Sequence, residues 1–324
     1  MTGRHTGRVR RAGLTVAAIA SLGLVGAAAQ ASIAAHPGAG WSARGTASRA
    51  RVAANWSLAT RSRTGETAYV ANYVSGTVTP ITIATSKARH AIKVGASPSA
   101  IAITPDGKTA YVANSDSGTV TPVTIATGKA RPAIKVGGYP SAIAITPDGK
   151  TAYVVNTDIS GVGTVTPINI ATGQARPAIK VGGYPSAIAI TPDGKTAYVT
   201  NQNSGMGTVT PINTATGQAL PAIKVGTLPD AIAITPDGKT AYVANRGSDT
   251  VTPIIIATGK AGVAIKVGTY PEMIAITCDG KTAYVMNDAS NTVTPITIAT
   301  GKAGSAIKVG TDPDTIVIMP VSPG

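Results

Sequence analysis

The 324-residue sequence has no phenylalanine, one cysteine, three histidines and only 14 acidic residues. With no Phe and just 10 Tyr and 2 Trp, any core must be aliphatic. The single cysteine, Cys278, excludes an intrachain disulfide, so the fold has to stand on packing. His5 and His36 fall in the N-terminal region, which leaves His90 alone in the body of the chain. One histidine cannot assemble a Ser-His-Asp triad, a His-ligated metal centre or a haem or copper site. Charge is sparse as well: 13% of residues are charged and 43% hydrophobic, which excludes a charge-rich disordered polymer. What the sequence does have is 37 Gly and 22 Pro, a composition of many turns that argues against a helical protein.

The net charge of +14 invites a nucleic-acid reading, but its placement removes it. Nine Arg and no acid fall in residues 1–63, while the other 261 residues carry 19 basic and 14 acidic side chains. Within that basic end, Arg4, Arg8, Arg10 and Arg11 precede the apolar run from Leu14 to Ala29, and Ala29-Gln30-Ala31 follows as a small-x-small site. This is the layout of a secretory signal peptide over 1–31. Arg10-Arg11 leaves the twin-arginine route open beside the general one. Residues 32–63, rich in Ala, Ser, Gly and Arg, read as a flexible basic linker. A cleaved chain has no further apolar stretch long enough to span a bilayer, and a secreted or cell-surface monomer is expected.

From residue 64 the sequence repeats. Thr-Ala-Tyr-Val recurs with its tyrosine at Tyr69, Tyr111, Tyr153, Tyr198, Tyr242 and Tyr284, spacings of 42 to 45 residues. Each copy runs SAIAIT, PDGK, TAYVAN, GTVTPVTIAT, ARPAIKVG. In SAIAIT, Ile101 and Ile103 alternate with Ala100 and Ala102, the period of a strand with one bulky and one small face. Pro105-Asp106-Gly107 and its counterparts make a hairpin turn, because Pro presets φ, Asp bonds its own backbone and Gly accepts positive φ. Ala-Thr-Gly marks the next turn, and four antiparallel strands per unit follow.

Such a unit cannot cover its own faces, whereas units packed radially cover one another. The expectation is an all-β propeller of six four-stranded blades over 64–324, with seven as the alternative. Bulky faces should pack on small ones, and the lysines of the fourth strand (Lys93, Lys135, Lys180, Lys224, Lys266, Lys308) should guard the outer edge. The proline in each third strand (Pro122, for example) calls for a bulge or an N–H direction needing no partner. A sixth inner-strand piece, Asp314 to Met319, stands alone at the C-terminus and is expected to complete the first blade.

Tyr198-Val199-Thr200-Asn201 spells YVTN, and the other copies read YVAN, YVVN and YVMN. With the P-D-G-K and A-T-G-K turns, residues 64–320 resemble the YVTN-repeat β-propeller proteins. The resemblance implies a propeller, usually of seven blades, among exported or surface-layer proteins with no assigned reaction. It also implies kinship with lactonase-like enzymes. The third-strand Asp often found in that family is replaced here by Thr82, Thr124, Asn169, Asn213, Ile255 and Thr297.

Chemistry is thinly provided. The turn acids Asp106, Asp148, Asp193, Asp237 and Asp279 stand one per blade, and the turn explains them better than calcium does. Cys278 reads as drift at a tolerant turn, and the repeated Asn ending each second strand as a local backbone ligand. No cofactor and no metal is expected. Blades differ mainly in the connection between strands two and three and in the inter-blade links, which emerge on one face. That variable face carries Tyr139, Tyr184, Tyr270, Asp158, Arg246 and Asp249, the candidate surface for a glycan, protein or cell-envelope component. The leading expectation is a non-catalytic binding module. The alternative is a lactonase- or lyase-like enzyme using Asp158, Asp249 and Asp288 on the same face.

Overall fold

The computed structural model describes residues 15–20, 31–33, 51–53, 67–203 and 205–318. The Thr-, Val-, Ile- and Tyr-rich pieces are strands throughout, with one 3-10 turn at Ile83–Thr85. In the second repeat, Pro98–Ile103 pairs with Thr109–Asn114, which pairs with Thr119–Thr124, all antiparallel. Two short pieces, Lys129–Ala130 and Ile134–Lys135, then complete the sheet against Thr119–Thr124. Six such sheets make an all-β propeller, numbered here as blades one to six in chain order.

Proline explains the break in the fourth strand. A strand residue presents its N–H and C=O to the same neighbour, and the Pro122 carbonyl accepts the Arg131 N–H at 2.7 Å. The missing donor of Pro122 therefore faces the fourth strand, which leaves the ladder at that point. Pro80, Pro167, Pro211, Pro253 and Pro295 accept in the same way from Arg89, Arg176, Leu220, Gly262 and Gly304. The bulge expected from the sequence is present in all six blades, and the fourth-strand lysines are exposed.

Bulky and small faces meet as anticipated. Ala100 and Ala102 of blade two share a core with Ile143 and Ile145 of blade three. Ala142 and Ala144 meet Ile188 and Ile190 of blade four, and Ala187 and Ala189 meet Ile232 and Ile234 of blade five. An isoleucine of one blade thus fills the space that alanine leaves on its neighbour, which keeps an interior without aromatic fillers dense. The repeat tyrosines Tyr69, Tyr111 and Tyr153 are fully buried, and burial pushes their phenols up. The repeated Asn corrects the sequence reading in part: Asn245 donates to the hydroxyls of Thr250 and Thr252 in the third strand rather than chiefly to backbone.

The seam between blades six and one differs. Ala275 and Tyr284, on the small face of blade six, are only half-buried, whereas their counterparts in blades two to five are buried. No core cluster of the described residues joins blade six to blade one. The inner position of blade one is filled by Thr15–Ala20, paired with Thr67–Asn72, and not by the C-terminal piece expected there. Residues 314–318 form no strand, and Met319 lies outside the described residues. The physical reason is that Thr15–Ala20 carries its own strand-forming Thr, Val and Ile, and an open ladder edge accepts any such segment.

Two more pieces of the N-terminal region form strands. Ala31–Ile33 pairs with the inner strand Pro185–Ile190 and with Arg51–Ala53. This hairpin lies inside the ring, Ala31–Ile33 touching inner strands of blades two to five. The cleavage site at Ala29-Gln30 and the remaining linker arginines lie outside the described residues. No helix among the described residues is long and apolar enough to cross a membrane.

Candidate functional site

The face is built by two kinds of connection. The Tyr184 N–H donates to the Gly161 carbonyl and the Gln202 N–H to the Tyr184 carbonyl, so an inter-blade link sits between the loops of adjacent blades. The Arg246 N–H to Leu228 carbonyl and Asp288 N–H to Tyr270 carbonyl bonds repeat the pattern. On the opposite face, Ile125 N–H to Lys108 carbonyl ties the A-T-G-K turn to the P-D-G-K turn.

Five link residues hold a left-handed backbone without being glycine: Ser97, Tyr184, Leu228, Tyr270 and Asp312, with φ of 48 to 57°. Each such residue is strained, and loop side chains hold the links in place. Asp249 Oδ1 accepts the Tyr270 N–H at 2.9 Å, and Asn291 Oδ1 accepts the Asp312 N–H at 2.7 Å. An asparagine does at one junction what Asp249 does at another, so Asp249 is a positioning residue. Asp158 is likewise used locally, its Oδ1 accepting the Ser160 and Val162 N–H groups at 2.8 Å each.

The three tyrosines stand at different inter-blade links. Tyr139 lies in the blade-three inner strand opposite Thr157, because Gly138 takes the positive φ there. Tyr184 and Tyr270 are 38% and 45% exposed at separate junctions. Of the six residues expected on this face, the structure brings Arg246, Asp249 and Tyr270 together at the junction of blades five and six. The Arg246 guanidinium stands 5.3 Å from the centre of the Tyr270 ring.

The sequence reading missed the residue after the link proline. It is Ser99, Ser141 and Ser186 in blades two to four, then Asp230 and Glu272 in blades five and six, and Asp314 in the C-terminal piece. All five positions from Ser99 to Glu272 are buried at the start of an inner strand. The Ser99 and Ser186 hydroxyls donate to the next link proline, at Pro140 and Pro229. A carboxylate cannot donate, and the acids take a different partner. Gln202 Nε2 donates to Asp230 Oδ1 at 3.2 Å, and Arg246 Nε meets Glu272 Oε1 at 3.3 Å. In both cases the partner follows the second-strand Asn of the preceding blade. The signal was present in the sequence as PSAIAI changing to PDAIAI and PEMIAI.

The ring of inner strands thus has a neutral sector over blades two to four and a charged one over blades five and six. The Glu272 side chain is 4% exposed and that of Arg246 is 42% exposed, so the pair runs from the interior to solvent. A buried charge of this kind is tolerated because it is paired. Such a sector can hold a polar ligand, place a carboxylate beside water and offer a cationic donor to a developing negative charge. Among the described residues, no group of three or more His, Cys, Asp or Glu converges to hold a metal ion.

The fold and this face define a β-propeller with an asymmetric polar sector. A family model described as lactonase, 7-bladed beta-propeller, matches residues 219–312, which span blades five and six. No curated protein sequence matches the chain. Among solved structures it is similar to hydrazine synthase from Kuenenia stuttgartiensis, at 26% identity and a TM-score of 0.68, over 79% of this chain and 87% of that one. It is also similar to a protein described as a candidate 6-phosphogluconolactonase from Bacteroides fragilis. There the identity is 21% and the TM-score 0.62, over 89% of this chain and 97% of that one. A functionally unknown protein from Desulfotomaculum acetoxidans gives 20% and 0.57, over 74% and 81%. The last two likenesses bear on the fold alone.

Proposed function

We propose that the chain is an exported propeller hydrolase of the lactonase type, acting at the charged sector of blades five and six. One observation carries the reading. The lactonase family match falls on 219–312, the stretch holding Asp230, Arg246 and Glu272. This favours the enzymatic alternative over the non-catalytic module set out from the sequence. The repeat is of the YVTN type, and the leader layout of residues 1–31 supports export.

In this reading Asp230 takes a proton from water as the water oxygen attacks the lactone carbonyl. Its Oδ1 accepts from the neutral amide of Gln202. Arg246 stabilises the oxyanion, and Glu272 is a positioning residue that aims the guanidinium. Collapse of the intermediate breaks the ring C–O bond, and Asp230 returns the proton to the leaving alkoxide.

The test is a screen of five- and six-membered sugar lactones with the purified chain, followed by Asp230→Asn and Glu272→Gln. Hydrolysis above the buffer rate that falls by about 100-fold or more in Asp230→Asn supports the site. Glu272→Gln should chiefly raise KM and shift the pH profile. A chain that hydrolyses none of the lactones, or variants as active as the parent, would refute it. A second reading rests on exposed Ile159, Tyr184, Met206, Leu228 and Tyr270 along the same face: a module that binds an envelope component. Its mark is retention by envelope fractions that is lost in Tyr184→Ala with Tyr270→Ala.

A further inference from the structure

We infer that blade one has two alternative inner strands and that the propeller closes by exchanging one for the other. The present occupant is Thr15–Ala20, with Thr15 opposite Ala71, Val16 opposite Val70, Ala18 opposite Tyr69 and Ile19 opposite Ala68. The C-terminal segment Thr315-Ile316-Val317-Ile318 is likewise rich in strand-forming residues. In blade two, Ala100, Ile101, Ala102 and Ile103 oppose Ala113, Val112, Tyr111 and Ala110. Carried to blade one, that register sets Thr315, Ile316, Val317 and Ile318 against Ala71, Val70, Tyr69 and Ala68. Thr15 and Thr315 claim the same place.

Three features show the C-terminal segment prepared for that place. The link before it is made as at other junctions: Asp312 has φ 57°, and its N–H is held by Asn291. Residues 314–318 alternate between half-buried and exposed, the period of a strand, although they form no ladder. Ile316 already packs against the core shared by blades four to six, and Ala275 and Tyr284 of blade six are left half-buried. The seam stays partly open while the other strand holds the edge.

The strand in possession belongs to the segment whose layout is that of a removable leader. A chain that loses it exposes the edge of Thr67–Asn72, and the nearest strand of matching pattern is its own C-terminus. Removing the leader then converts an open ring into a closed one without a new partner. The device keeps the precursor less firmly closed than the processed chain.

Disulfide trapping tests the exchange in a Cys278→Ser background. One chain carries Thr15→Cys with Ala71→Cys and the other Thr315→Cys with Ala71→Cys. In the full chain the first pair should oxidise to completion and the second only in trace. Adding Ala18→Pro, which disables the leader as a strand, should turn the second pair from trace to majority, as an intramolecular bond in a monomer. A second form, with a specific protease site placed between Ala29 and Gln30 and cut after folding, should give the same reversal without the proline. Oxidation of the second pair with the leader strand intact, no oxidation in either altered form while the strand signal persists, or bonds only between chains would each overturn the exchange.

Discussion

Each P-D-G turn is held from below by a threonine. The Thr235 hydroxyl donates to Asp237 at 2.6 Å and accepts the Thr240 N–H at 3.1 Å, while Asp237 accepts the Lys239 N–H at 3.0 Å. Thr235 is 2% exposed, so Thr235→Val keeps the shape but leaves the Thr240 N–H without its partner. A loss of about 1–2 kcal/mol is expected in urea unfolding. The Lys239–Asp237 ion pair at 3.6 Å is exposed and should contribute little. At Asp237 and Asp279 the threonine hydroxyl is the largest influence, lowering the carboxyl with help from the lysine N–H and ammonium. At Asp106, Asp148 and Asp193 partial burial acts most strongly, upward, but the same bonds together outweigh it and the value is again lowered. A lowered folded value means that this stabilisation is complete above the unfolded value, about 3.9, and is lost as pH falls through the folded one. The thermal midpoint should therefore drop on acidification below about pH 4, and changing all five acids to Asn should flatten that limb. At this scale the site was half legible. Arg246, Asp249 and Tyr270 stood out because they interrupt variable loops, whereas Asp230 and Glu272 hid inside a strand piece whose apolar period they do not disturb.

Strands and turns were legible because every unit repeats the same alternation and punctuation, and the third-strand proline even located the break in the fourth strand. The occupant of the blade-one inner edge was not, because pattern alone cannot rank two segments of equal suitability. Register in the five inner-strand hairpins of blades two to six is fixed by turn chemistry, but a strand arriving from far along the chain has no turn to fix it. The proline itself gives the prediction at this scale. Pro122 is buried, and Pro122→Val would add an N–H aimed at the gap beside Arg131. If that N–H stays unpaired in the gap, the variant loses about 1–3 kcal/mol by chemical denaturation. A gain instead would mean that residues 131–133, and not the proline, keep the fourth strand apart.

Across the whole molecule, copying and divergence have opposite effects. Near-identical faces let the alanines of one blade receive the isoleucines of the next, so cohesion is uniform from blade one to blade six. Stability in such stacked units is a sum of neighbour contacts, and a ring with one weak seam lacks one of them. Blades six and one, which share no core cluster among the described residues, should therefore open before the others. Divergence is concentrated beside that seam, where Glu272 replaces serine and its pair with Arg246 replaces a hydroxyl link. The charged sector of blades five and six thus borders the weak seam, where local opening is easiest. Hydrogen exchange by mass spectrometry reads this directly. Amides of Pro271–Ile276 and Thr282–Asn287 should exchange faster than those of Pro185–Ile190 and Thr196–Asn201, although both sets sit in equivalent ladders. Equal protection in the two pairs of strands would mean that blade six is held as firmly as blade four and that the seam is closed by contacts other than these cores.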